Sequence, residues 1–367
     1  MGRQIARRTA KPELSHMNIF CAFLVIFIHC ASVIIGETTS LDTAFNAVFI
    51  PWRFSTFVVP AFIFLSGVKL FLTDKKIDYV KFYKGRITRV ILPYLLWVFI
   101  FYIFFVNHHY FEFSWDGLFH AWWRGDLVGH FYFVIIIVQF YILMPLWVYA
   151  LRRVTPAVGI AFSVLISVVL GYNLSNILYI ILPNHVFQFS DVIFTKYLLY
   201  WVCGCYVGMN YQKFKEIILN RKILITALFL FSGFLDIYLA YATYNTAVPW
   251  MEEVHILYCA SAILFFFMLF CWICDKRKQL ARFTKALDSQ CYNIYLSHCL
   301  IILWLNDYLL TEIKMSNVVQ RFWTIALSAY LGSFIFWMLW WVIKTGAITI
   351  FRFIKTKDGI KYFSHHY

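Results

Sequence analysis

Apolar runs of about twenty residues recur along the whole chain, each nearly free of charge, and no other feature restricts the fold as strongly. A helix of that length, at roughly 1.5 Å per residue, matches the ~30 Å hydrocarbon core of a bilayer. Backbone polar groups inside lipid must be satisfied within the segment, which makes helices the solution for such runs. Spans are predicted at 17–36, 49–72, 90–105, 130–150, 158–174, 193–209, 224–244, 254–274, 291–310 and 322–343. With 62% hydrophobic and only 14% charged residues, the chain lies outside the range of soluble domains. The expected fold class is therefore an all-α integral membrane protein, a bundle of about ten transmembrane helices. No linker or repeat divides it, so residues 1–367 are expected to form one polytopic domain, with a basic N-terminal segment at 1–16 and a basic tail at 344–367.

Charge sets the expected topology. Arg3, Arg7, Arg8 and Lys11 precede the first span; Lys75, Lys76, Lys81, Lys84, Arg86 and Arg89 follow the second, and Arg152 and Arg153 the fourth. Lys213, Lys215, Arg221 and Lys222 follow the sixth; Lys276, Arg277, Lys278, Arg282 and Lys285 follow the eighth. Lys344, Arg352, Lys355, Lys357 and Lys361 close the chain. Alternate loops carry Glu37 and Asp42, Glu112 and Asp116, Glu252 and Glu253 instead. By the positive-inside rule, both termini are expected in the cytoplasm. The net charge of +14 lies beside spans, where anionic headgroups neutralise it, so nucleic acid is not an expected partner and membrane lipids are. The first span is too long for a signal-peptide core and is expected to stay.

The nine cysteines fall almost entirely within spans, where they serve as small apolar packing residues. Cys271/Cys274 and Cys203/Cys205 lack a second pair at ligand spacing, so no metal site is expected.

Ionisable groups inside spans are costly in lipid, so each is a candidate for function. His29 lies about two-thirds through the first span. A neutral imidazole there suits proton transfer from a hydroxyl; the plainer reading is a buried histidine bonded to a neighbouring helix. Arg86 and Arg89 stand three apart before Pro93, a spacing that puts both on one helix face at the mouth of the bundle. They suit a clamp for a phosphorylated ligand, or simply anchor the loop. Arg53 either snorkels outward or points into a polar cavity. Asp236, Asp191 and Lys196 have the option of pairing with buried partners, and Gln139 and Tyr141 add polar groups to the fourth span. His298 follows Ser297 directly, but adjacent helical positions point about 100° apart, which rules out a serine–histidine dyad. No Walker loop, dinucleotide fingerprint or nucleophile elbow is present.

Several segments in order resemble membrane acyltransferase family three, whose bacterial members O-acetylate cell-envelope polysaccharides. They are 13–18 running to His29; Pro60 through Ser66-Gly67; Phe82 through Arg86, Arg89, Pro93 and Tyr94; Gly129-His130-Phe131-Tyr132-Phe133 with Gln139, Tyr141 and Pro145; and Asn293-Ile294-Tyr295-Leu296-Ser297-His298. Together they cover nearly the whole chain. The family commonly has tryptophan where Tyr132 stands, and an arginine eleven positions before the first histidine, where this chain has Asn18. Asparagine hydrogen-bonds a ligand but does not neutralise phosphate. An arginine usual near Thr56 is replaced, one helical turn away, by Arg53.

The resemblance implies a multi-pass protein of the bacterial cytoplasmic membrane. It would move an acyl group, acetyl being the expected one, from cytosolic acyl-CoA to a hydroxyl of a cell-envelope glycan. It implies no permanently bound cofactor, with acyl-CoA as donor substrate. His29 and His298 would be catalytic, Arg86 and Arg89 would bind acyl-CoA, and Asn18, Arg53 and Tyr295 would bind substrate. The competing reading is a non-catalytic exporter of a lipid-linked or free glycan, which the loss of arginine at Asn18 would suit.

Overall fold

The computed structural model describes residues 11–38, 42–73, 76–182, 189–242, 251–276 and 281–364. Arg3, Arg7, Arg8, Lys75, Arg277, Lys278 and the end of the seventh predicted span fall outside them. The described chain is helical, with no strand: α1 Pro12–Glu37, α2 Thr43–Ser55, α3 Val58–Phe71, α4 Tyr79–Arg86, α5 Leu92–Asn107, α6 Trp115–Arg124, α7 Tyr132–Ile142, α8 Met144–Leu151, α9 Pro156–Ile166, α10 Tyr172–Ile181, α11 Leu198–Met209, α12 Tyr211–Asn220, α13 Lys222–Ala242, α14 Met251–Lys276, α15 Ala281–Thr311 and α16 Val318–Ser364. Among the described residues, eight helical stretches are long and apolar enough to cross a membrane, and up to ten if each of two bent helix pairs counts as one span. This is a multi-pass α-helical membrane bundle.

The irregularities have local causes. Pro145 sits in the first turn of α8, where its missing N–H and ring interrupt the ladder, and α7 and α8 meet at 59°. The stretch Pro156–Gly171, which ends in a π-helical turn at Ser167–Gly171, meets Asn173–Ile181 at 62°. A second π turn, Ile87–Ile91, joins α4 to α5 directly before Pro93. Arg86 and Arg89 therefore flank and enter a wider turn instead of standing on a regular α-helical face, as their spacing predicts. Both still line one cavity. The basic tail predicted at 344–367 is largely a continuation of α16.

Helix α3 packs against α11 at backbone contact. A Cβ on Gly204 would lie 2.2 Å from the Phe64 carbonyl oxygen, and one on Gly208 2.6 Å from that of Val68. This small-x-x-x-small stripe lets the two backbones approach without a strong solvent-driven force, as membrane helices require. Two elements escaped the hydropathy reading because they are amphipathic and short. Helix α6 is capped by the Ser114 hydroxyl on Gly117 N–H and closed by Gly125 in the left-handed region. Helix α12 is tied to the start of α1 by Tyr211 O–H donating to Glu13 at 2.7 Å, and to α14 by Lys215 on Asp275 at 2.8 Å. Burial alone would lower the Lys215 pKa, but Asp275 and Glu13 hold the proton and raise it.

Candidate active site

At one end of the bundle a cavity of about 500 Å³ opens among the starts of α1, α5 and α15, the end of α3, and α7. This is the end at which the sequence places its basic loops. Asn18, Lys69, Arg86, Arg89, Asp288 and Lys344 line it, with Tyr141, Tyr292 and Tyr295. Four cations against one carboxylate give the cavity a positive field that suits a polyanionic ligand.

Arg86 is held in place by aromatic faces. Its guanidinium carbon lies 4.9 Å from the centre of the Phe82 ring and 4.6 Å from that of Tyr141. Its Nε is buried with no protein hydrogen-bond partner, a donor left available to a ligand. Arg89, beyond the π turn, is exposed at the rim. Asn18 is oriented by the protein: its amide donates to Asp288 Oδ1 at 2.7 Å, while Ser15 donates to Oδ2 at 2.9 Å. Lys69 stands 3.8 Å from the same carboxylate. A lysine on α3, a residue the sequence reading did not single out, thus supplies a positive charge beside Asn18, where the resemblance implies an arginine.

Tyr295 forms the inner wall of the cavity. Its hydroxyl donates to the backbone carbonyl of His130, and its ring lies 5.1 Å from the His130 imidazole. Behind it are three imidazoles: His29 on α1, His130 just before α7, and His298 on α15. Their ring centres are 5.5 Å (His29–His130), 5.2 Å (His29–His298) and 4.9 Å (His130–His298) apart. His29 is eleven residues deeper than Asn18 on one helix, and His298 ten deeper than Asp288 on another. At roughly 1.5 Å per residue the histidines sit about 15 Å below the mouth.

The His298 tautomer follows from its partners. Nδ1 faces the carbonyls of Tyr295 (2.8 Å) and Ile294 (3.2 Å), which only accept, so Nδ1 carries the hydrogen. Nε2 is then a lone pair, 3.3 Å from the Cys299 sulfur. Ser297 is engaged elsewhere, accepting from Trp337 Nε1 at 2.8 Å, in keeping with the excluded dyad.

The structure brings Asn18, Arg86, Arg89 and Tyr295 to the cavity and sets His29 and His298 beside each other behind Tyr295. It does not bring Arg53 to them. Arg53 is only 7% exposed, and both arms of its fork are bound by Asp236, each at 2.8 Å. The Oδ1 oxygen that Arg53 Nη2 reaches is shared with His255 Nδ1, also at 2.8 Å, and His255 Nε2 approaches Thr56 Oγ1 at 3.3 Å. Asp236 is the buried counter-ion that the sequence allowed for, and Arg53 belongs to a structural charge cluster. Asp191 pairs with Arg124 at 2.9 Å, and Gln139 bridges α7 to the backbone of Val192 and Phe194. His130 was missed as a site residue because it lies in the turn before its helix, where hydropathy carries no information about direction.

Comparison with known proteins adds the family. Neither a curated protein nor a solved structure matches the chain. The family model described as an acyltransferase domain, that of acyltransferase family 3, matches residues 12–349 and so takes in every spanning helix and both layers of the site. The chain belongs to that family and is a membrane acyltransferase.

Proposed function

We propose that this acyltransferase takes an acyl group, acetyl being the expected one, from cytosolic acyl-CoA and delivers it to a hydroxyl of a cell-envelope glycan, in the cytoplasmic membrane of a bacterium. The observation that carries the reading is the alignment of a cationic cavity at the basic end with three imidazoles about 15 Å beneath it, separated by Tyr295. The basic end faces the cytoplasm, in keeping with the positive-inside pattern. Arg86, Arg89 and Lys69 hold the donor's phosphates; Asn18, fixed by Asp288, hydrogen-bonds the same ligand. The pantetheine arm passes Tyr295 and places the thioester beside His29.

His29 takes the proton of the acceptor hydroxyl as that oxygen attacks the thioester carbonyl carbon. The carbon–sulfur bond breaks, the thiolate leaves and takes up a proton, and the products are an ester and free CoA. His298, with its N–H committed to backbone carbonyls, lines the acyl path. Arg53 is replaced in the substrate role by Lys69.

The test is transfer from labelled acyl-CoA in inside-out vesicles that retain the host's glycans. Label is expected on luminal glycan with the wild type, lost in His29→Ala and weakened in Arg86→Ala/Arg89→Ala. A folded wild type that binds no acyl-CoA and labels no more than His29→Ala would overturn the reading in favour of glycan export.

A further inference from the structure

We propose that His29, His130, His298 and Cys299 form a binding site for one divalent transition-metal ion of the zinc class. Their ligand atoms all lie within 4.8 Å of one another, drawn from α1, the turn before α7, and α15. Zinc binds imidazole nitrogen at about 2.0–2.1 Å and thiolate sulfur at about 2.3 Å, usually as a tetrahedron. Three rings arranged that way have centres roughly 5 Å apart, against the 4.9, 5.2 and 5.5 Å found. Closing the four ligand atoms onto one ion requires movements of about 1 Å.

The second observation is His130. It is 2% exposed, and neither of its ring nitrogens has a hydrogen-bond partner. A buried polar ring with both nitrogens unsatisfied is unusual, and a lone pair directed into a cluster of ligands accounts for one of the two. His298 is prepared in the way metal-bound histidines are, with one nitrogen donating to a backbone carbonyl and the other facing the Cys299 sulfur at 3.3 Å. Cys299 would bind as thiolate and release its proton, so the site would hold a net single positive charge instead of a bare divalent one. Three nitrogens and one sulfur favour a borderline-soft ion over magnesium or calcium. The sequence expectation of no metal site considered the cysteine pairs along single helices; this cluster exists only where three helices meet.

The site stands on the geometry of these side chains and not on acyl transfer. It bears on that reading at one atom, because an ion bound to His29 takes the lone pair that a general base needs. Occupancy and transfer then exclude each other, and zinc is an inhibitor of the proposed reaction.

The experiment is a Co²⁺ titration of the full chain purified in detergent without chelator, with metal analysis of the protein as isolated and after Zn²⁺ loading. The expected result is one ion per chain, a tetrahedral cobalt spectrum, and a thiolate-to-cobalt band missing in Cys299→Ser. His130→Ala should weaken binding by at least ~10-fold. Thermal unfolding controls for misfolding: Zn²⁺ should raise the Tm of the wild type and leave both variants, folded at their own Tm, nearly unmoved. A wild type that takes up no ion overturns the proposal. So does binding that survives both substitutions and is lost in Cys271→Ala/Cys274→Ala.

Discussion

His29 owes its candidacy to its neighbours. On α1 it is one polar side chain in an apolar run; in the bundle it faces two further imidazoles, with Tyr295 between this group and the cationic cavity. General bases contribute about 10²- to 10⁴-fold, so His29→Ala should reduce acyl transfer by at least ~100-fold while size-exclusion profile and Tm stay near wild type. Asn18 supports a prediction in the other direction. Asp288 already sits at its amide, so Asn18→Arg would place a guanidinium against that carboxylate and add charge to the cavity. The expected outcome is a lower KM for the acyl donor with kcat little changed, read from initial rates at varied acyl-CoA. An unchanged or higher KM would show that Lys69 alone supplies the missing charge. His29, Arg86 and Arg89 were legible because their type and depth are written in the sequence. Lys69, Asp288 and His130 were not, since each matters only through a partner more than a hundred residues away.

At the scale of elements, breaks in regular helix position the site. The π turn at Ile87–Ile91 widens the backbone between Arg86 and Pro93, so that a stacked arginine and a rim arginine serve one cavity. The sequence announced the break through Pro93 but not its type, nor the hydrogen bond that Tyr292 of α15 donates to the Val90 carbonyl within it. The α3–α11 contact is similar: Gly67, Gly204 and Gly208 are visible as small residues, whereas their mutual contact is not. Because a Cβ on Gly204 would fall 2.2 Å from a backbone oxygen, Gly204→Ala should destabilise the bundle by about 1–3 kcal/mol. Gly36→Ala, where nothing lies within 4 Å, should be close to neutral. Thermal unfolding in detergent compares the two. Equal Tm values would mean that α3 and α11 shift apart at little cost.

For the whole molecule, the buried cluster of Arg53, Asp236 and His255 ties α2, α13 and α14 together away from the cavity. Removing one partner of a buried ion pair leaves an uncompensated charge, so Arg53→Ala should cost about 3–5 kcal/mol. Replacing both partners by apolar residues, as in Arg53→Met/Asp236→Leu, should recover much of that loss. Full stability in Arg53→Ala would return Arg53 to the list of substrate-binding residues. The sequence by itself determined that this chain is a helical membrane bundle, and it located the spans. Each span must satisfy its own backbone and match the bilayer thickness, and both demands are local. It determined the basic loops on the same local ground. Only the tertiary structure decided which polar groups converge: Arg53 on a buried carboxylate, Lys69 beside Asn18, and His130 behind Tyr295. Hydropathy records how deep a side chain lies but not which way it points, and the direction is set by neighbouring helices.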